Sequence, residues 1–184
     1  FVNACERIAE PAGYPVVELD NRGAARALTQ HLLDLNLKRL AVITGPAHSP
    51  IVRDRLAGMK DALLGAGLTL AANAVLEGDF SMQSGHDAAQ RLLQQPERAQ
   101  AIFCMNDALL LGAWQALQAT EHAVDIFGLS ETDLPSLLTP TISYAHYSGT
   151  QVAKETLQLL LAVMRTKTPA SEKLLSISWE QSKA

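Results

Sequence analysis

Cysteine is scarce in this chain: Cys5 and Cys104 are the only two in 184 residues. So few thiols, so far apart, exclude a disulfide framework and every cysteine-based metal spacing. Cys104 lies inside the apolar run AIFCM (101–105), which predicts a buried core thiol, and the usage as a whole points to a reducing compartment. The five histidines, His31, His48, His86, His122 and His146, make no H-E-x-x-H pattern and no close pair, so no metal site is expected. Long hydrophobic runs are missing too. The greasiest stretch, 157–163, falls well short of the ~20 residues of a membrane span. No basic segment precedes an apolar one in the manner of an export signal. Positive charge is also in short supply: 15 Lys and Arg stand against 19 Asp and Glu, for a net charge of −4. Lys38-Arg39, Arg53 with Arg55, and Lys183 are scattered rather than lined up. Gripping a nucleic-acid backbone needs a basic stripe, so this chain is not expected to carry a DNA surface of its own. It opens on Phe1-Val2-Asn3 with no initiator Met and reads as a piece of a longer protein.

What the chain does have is an alternation of short apolar runs and helical periods. Hydrophobic residues make up 48% and charged residues 18%, enough to bury a core in one domain or in two small lobes. Strands are predicted at 14–19, 39–44, near 74–76, and at 101–105, 124–128 and 174–179. Helices are predicted at 24–35, 53–66, 81–93, 108–119 and 149–163. Gly67 stops the second helix and Ser81 caps the third. Strands such as LAVIT and AIFCM are apolar at nearly every position. Such strands belong in a parallel sheet covered by helices on both faces, which right-handed crossovers build. The fold class is therefore α/β. Residues 141–148, TISYAHYS, read as an extended connector able to carry the chain from one lobe to another.

The stretch 101–112, AIFCMNDALLLG, points most directly to a site. An apolar strand ends in Asn106-Asp107 and an apolar helix follows at once; ligands of open α/β sheets collect at that edge. Asn106 donates and accepts while Asp107 only accepts, a pair suited to a polyhydroxylated ligand. Asp107 equally suits the cap of the following helix. Arg55 falls near a predicted helix start, where a cation opposes the dipole. Either a salt bridge to Asp54 or Asp61 or a bidentate grip on a ligand would justify it. On the second of these, Arg55→Ala removes metabolite binding and leaves the fold intact. Phe80, in the loop EGDF, either stacks on a sugar or base face or packs in the core. His48, beside Ser49 in GPAHSP (45–50), is a further candidate contact. Enzymatic signatures are missing. GPAHSP lacks the Lys-Ser/Thr end of a P-loop, no G-x-G-x-x-G follows a strand, and GLSET is no nucleophile elbow. With no nucleophile, base and orienting group together, binding without chemistry and without a cofactor is the reading.

Taken in order, VVELDNRGAARALTQHLLDLNLKRLAVITGP (16–46), RDRLAGMKDAL (53–63), LEGDFSMQSGHDAAQRLL (76–93), AIFCMNDALLLGAWQAL (101–117), IFGLSETD (126–133) and TPTIS (139–143) resemble the effector-binding region of the LacI/GalR family of bacterial transcription repressors. The LEGDF run is similar to nucleoside- and purine-responsive members in particular. The resemblance implies a periplasmic-binding-protein-like fold, here a fragment with one nearly complete lobe and part of the other. It places the end of the N-terminal lobe at 1–19 and the C-terminal effector-binding lobe at 20–139. Residues 140–184 become an interlobe crossover, an N-lobe helix and a return strand. It further implies a cytoplasmic homodimer, without a membrane partner, that binds a nucleoside or sugar between its lobes. Operator DNA would be held by a helix-turn-helix domain outside this chain.

By motif, Arg55 resembles the family's ligand-anchoring arginine, Asn106 and Asp107 its ligand-side pair, Phe80 its stacking aromatic, and Ser49 and Ile51 its contact loop. The family's strand end, Gly-aromatic-Asp-Asp, is Gly128-Leu129-Ser130-Glu131 here. Ser130 then offers one hydroxyl where a carboxylate commonly sits, unless Glu131 or Asp133 swings in. The alternative of another class is a periplasmic-type solute receptor of a transport system, which an export signal upstream would mark. A doubly wound enzyme is a third reading, and it requires turnover.

Overall fold

The computed structural model describes residues 2–5, 15–120, 124–130, 132–138, 142–166, 173–175 and 178–180. In chain order its elements are β1 (Asn3–Cys5), β2 (Val16–Leu19), α1 (Asn21–Asp34), β3 (Leu40–Thr44), α2 (Pro50–Gly65), β4 (Val75–Glu77), α3 (Met82–Leu93), β5 (Ala101–Cys104), α4 (Asp107–Gln118), β6 (Asp125–Ser130), β7 (Ser143–His146), α5 (Gly149–Thr166), β8 (Lys173–Leu175) and β9 (Ser178–Glu180). Single 3-10 turns lie at Ala72–Ala74 and Leu134–Leu137.

Two sheets organise these elements. The larger runs β4-β3-β5-β6-β7-β9 and is parallel except for its last pair. The smaller, β1-β2-β8, is wholly parallel. The chain steps from β3 outward to β4, then returns past β3 to β5 and β6. Right-handed crossovers put connections of opposite direction on opposite faces of a sheet. In accord with this, α2 packs with α1, and α3 packs with α4. Covered on both sides, β3 and β5 bury every residue. Phe103, Ile43, Met59, Leu63 and Leu109 are at most 1% exposed and anchor this core. A second, small cluster joins Val17 and Leu19 of β2 to Val152 and Leu159 of α5.

Glycine sets how closely the helix pairs approach. A Cβ at Gly112 would overlap the Met82 carbonyl oxygen and lie 2.7 Å from the His86 nitrogen, so α4 rests directly on the α3 backbone. Backbone cannot swing aside as a side-chain tip can. Gly112→Ala is expected to destabilise the fold by about 2 kcal/mol, the overpacking cost outweighing the better helix propensity of alanine. Gly65→Ala is the control, because nothing lies within 4 Å of a Cβ there. Urea denaturation curves of the two variants check the contrast.

Helix ends follow sequence chemistry. Gly67 (φ +71) closes α2, and the Leu68 N–H returns to the Leu63 carbonyl at 2.8 Å. Asn36 (φ +63) does the same for α1, with the Leu37 N–H on the Leu32 carbonyl at 3.0 Å. Both are left-handed terminators whose amides cap the last turn.

Four elements differ from the sequence reading. Helix α1 starts at Asn21 rather than 24, because Asp20 caps it through a 2.8 Å bond from the Gly23 N–H. Helix α2 starts at Pro50 rather than 53, since proline at the first helical position leaves no donor wasted. Within the connector expected at 141–148, Ser143–His146 is a strand of the larger sheet, paired in parallel with β6. The final strand expected at 174–179 is two short strands, β8 in the smaller sheet and β9 in the larger.

Candidate functional site

Strands β3 to β7 run parallel, so their carboxyl ends share one edge, and the loops that follow β3, β4, β5 and β6 meet there. Backbone bonds bind the first two loops together: the Gly78 N–H donates to the Thr44 carbonyl at 2.8 Å, and the Ala47 N–H to Glu77 Oε1 at 2.9 Å. Asp79 accepts from the Ser81 N–H at 3.0 Å. Hydrogen bonds from Ser81, side chain first, hold its carboxyl at about 2, so it is ionised at any ordinary pH. Phe80 follows with φ +66, a left-handed backbone that bulky residues rarely adopt. Its half-buried ring covers Gly45 at the end of β3, in space that any Cβ on residue 45 would occupy.

Asn106 joins this loop to α4. Its Oδ1 accepts from the Leu109 N–H at 2.9 Å, which makes Asn106 the helix cap, while its Nδ2 donates to the Phe80 carbonyl at 3.3 Å. The capping role considered for Asp107 thus falls one residue earlier. Asp107 is instead the first helical residue, where a carboxylate is favoured by the helix dipole. It is half-buried and turns to β6: Oδ1 accepts from the Ser130 hydroxyl at 2.5 Å, and Oδ2 from the Thr132 hydroxyl at 3.3 Å.

Ser130 itself is fully buried, with the Thr132 carbonyl also 2.6 Å from its hydroxyl and the Thr132 N–H donating back at 3.1 Å. The expectation of a Ser130 hydroxyl open to a ligand is corrected by that burial. The carboxylate of this corner belongs to Asp107, with Ser130 beneath it.

Arg55 is 6% exposed. Its Nε donates to Asn21 Oδ1 at 2.8 Å and its Nη1 to the Met105 carbonyl, tying the starts of α1 and α2 to the end of β5. With α2 beginning at Pro50, Arg55 lies beyond the first turn, where the dipole no longer opposes a cation. The salt bridge to Asp61 considered from sequence is taken by Arg22, at 2.7 Å. Ser49 caps α2 by position without a side-chain capping bond, and Ile51 sits half-buried in its first turn. His48 is exposed in the same loop. Glu131 lies outside the described residues; Asp133 is exposed and starts the 3-10 turn.

Asn21, Thr132 and Gly45 fall in segments that the sequence sets at strand ends, without a signal for the role each one takes. Asn21 is 5% exposed and anchors its Nδ2 on the Leu19 carbonyl at 3.2 Å. A polar residue directly after an apolar strand is a usable signal, but its partner lies 34 residues away. Among the described residues no group of three or more His, Cys, Asp or Glu could hold a metal ion, and no helix is long and apolar enough to cross a membrane. Burial pushes the Cys104 thiol well above its ordinary range, which leaves it inert. The rim therefore offers carboxylates at 79 and 107, an amide at 106 and an aromatic ring at 80. It is rich in acceptors and suits a neutral ligand that donates hydroxyl protons.

Comparison with known proteins agrees with this architecture. Residues 1–159 match the family described as periplasmic binding proteins and sugar binding domain of the LacI family. The ribose operon repressor of Escherichia coli K12 is 33% identical over 150 residues, covering 79% of this chain and 46% of that protein. The transcriptional repressor CytR of the same strain is 31% identical over 156 residues, covering 82% and 46%. Among solved structures, the transcriptional regulator CelR in complex with cellobiose superimposes with a TM-score of 0.89 at 25% identity, over 97% of this chain and 57% of that one. The chain spans about half the length of the curated relatives it matches. An α/β chain with this strand order, this rim and this match along most of its length belongs to the LacI family of periplasmic-binding-protein-like domains.

Proposed function

We propose that this chain is the effector-sensing and dimerisation region of a transcriptional repressor, and that its rim binds a small metabolite, a nucleoside or a sugar. The observation that carries this reading is the convergence of Phe80, Asn106 and Asp107, from the loops after β4 and β5, at one edge of the sheet. A carboxylate beside an amide suits the hydroxyl edge of a ribosyl group, and an aromatic face suits a planar base carried on it. The name of the ribose operon repressor and the cellobiose held by CelR support the same class of ligand. We retain 1–19 and 20–139 as portions of two lobes, with 140–184 crossing between them. The metabolite closes the lobes and biases a homodimer between DNA-binding states, which requires unequal affinity for the two. DNA is gripped elsewhere in the whole protein, since this chain carries net charge −4. We place the protein in the cytoplasm, and the site acts by binding and not by turnover. The outward apolar row Leu157, Leu160, Leu161 and Met164 on α5 supports a further layer of chain over the smaller sheet.

A thermal-shift panel of nucleosides, pentoses and hexoses on the full-length protein tests the ligand class. One nucleoside or pentose is expected to raise the melting temperature and to change operator affinity. A ligand that shifts melting with no effect on operator DNA favours a solute receptor of the same fold.

A further inference from the structure

Phe80 is a bulky residue in a left-handed backbone, and such a residue persists only when its surroundings over-determine it. Four restraints do so. Asn106 Nδ2 holds its carbonyl at 3.3 Å, and the Asp79 carboxylate takes the Ser81 N–H at 3.0 Å on its far side. The Gly78 N–H is fixed to the Thr44 carbonyl at 2.8 Å, one residue before Gly45. The fourth restraint is the ring itself. Its distal atoms, Cζ, Cε1 and Cε2, fill the space that a side chain at residue 45 would need. Gly45 is buried and its φ is unexceptional, so the glycine is not there to supply an unusual turn. It is there because the ring is.

We propose that Gly45 is a specificity-determining position: by carrying no side chain it seats the Phe80 ring against the end of β3 and thereby lets the site stack a planar, aromatic ligand group. This deepens the reading of the rim as a metabolite site and rests on it. Gly45 touches the ring and acts through it, so it is a positioning residue. A ring backed by Gly45 keeps its other face for a ligand, whereas a Cβ at 45 lifts or tilts the ring off that seat. Contacts to ligand hydroxyls come from Asn106 and Asp107, which Gly45 does not touch, so they survive the change.

The test uses the full-length protein as Gly45→Ala, Phe80→Ala and the double variant, titrated calorimetrically with adenosine and with ribose. Gly45→Ala is expected to weaken adenosine binding about tenfold, the scale of one lost stacking contact. Ribose affinity stays within about twofold, since that sugar has no aromatic plane to stack. In the Phe80→Ala background Gly45→Ala adds nothing further. Thermal melts supply a readout that needs no ligand: Gly45→Ala lowers the melting temperature, and adding Phe80→Ala restores much of the loss by making room for the methyl group. Equal weakening of both probes, or an undiminished Gly45→Ala effect without the ring, overturns this inference alone. If the unsubstituted protein binds neither probe, nor any other nucleoside or pentose, the reading of the rim falls and this inference with it.

Discussion

Arg55→Ala is expected to cost about 3 kcal/mol of folding stability, more than a surface arginine ever would. Arg55 is 6% exposed, and its guanidinium bonds include Asn21 Oδ1 and the Met105 carbonyl. Deleting it strands both in a region that water enters poorly, and bonds to a charged donor are worth about 1.5–3 kcal/mol each. Asn21 opens α1 and Met105 directly follows β5, so the loss loosens the joint between α2, the start of α1 and the rim. Arg55→Lys keeps the charge but has one ammonium where two separate donors are needed, and it recovers only part of the loss. The check is the urea midpoint of each variant at unchanged slope. A sequence-level view of Arg55 as a ligand anchor predicts an intact fold. The buried bonds of Arg55 give the other expected order, in which stability falls first and affinity falls with it.

Asp107→Ala is expected to do the opposite, with a small effect on stability and a large one on binding. The helix-dipole contribution of a first-turn carboxylate is about 0.3–1 kcal/mol, and the Asn106 cap stays in place. Ser130 keeps the Thr132 carbonyl at 2.6 Å as an acceptor for its buried hydroxyl. What disappears is the carboxylate of the rim. One charge-assisted bond to a ligand hydroxyl is worth about 1.5–3 kcal/mol, which corresponds to a loss of affinity of about 10- to 100-fold. Calorimetric titration beside a denaturation curve separates the two effects. Asp107→Asn, which keeps an oxygen acceptor of the same shape, falls between Ala and the unsubstituted protein.

Most of the larger sheet was legible in the sequence because its signals are local. An all-apolar strand such as LAVIT, a helical period, a glycine terminator and a serine cap each declare themselves within a few residues. The edge that carries the site was legible for the same reason: Asn106-Asp107 closes an apolar strand. Partnerships were not. Asp107 and Ser130 are 23 residues apart, and only the β5–β6 register, with Cys104 opposite Gly128, brings them together. Ser130 looked like a lost carboxylate; it is the buried donor that supports one. The dipole argument for Arg55 rested on a helix starting at 53, and three more residues of helix before it change its electrostatic setting. Gly45 is legible as the end of an apolar strand, but its role is not, because the Phe80 ring that lies on it comes 35 residues later.

Two kinds of residue crowd the rim, and burial separates them. Arg55, Asn21 and Ser130, none more than 6% exposed, have their bonding taken up by the protein and build the corner. Asn106, Asp107 and Phe80 are half-buried, and they present an amide, a carboxylate and a ring face at one edge. On the proposed reading, a rim of this make-up would select by hydroxyl pattern and ring shape and oppose a free anion. The LacI-family fold supplies the frame; the buried Ser130 hydroxyl on Asp107 is a feature of this chain's own corner.

Amide hydrogen exchange on the full-length protein, with and without a saturating amount of the nucleoside or pentose that most raises its melting temperature, tests the central claim most directly. The account predicts new protection in three segments, 78–81, 105–109 and 130–134, which the chain separates and the sheet edge unites. Protection confined to the opposite edge of the sheet, or to none of these segments, would contradict it.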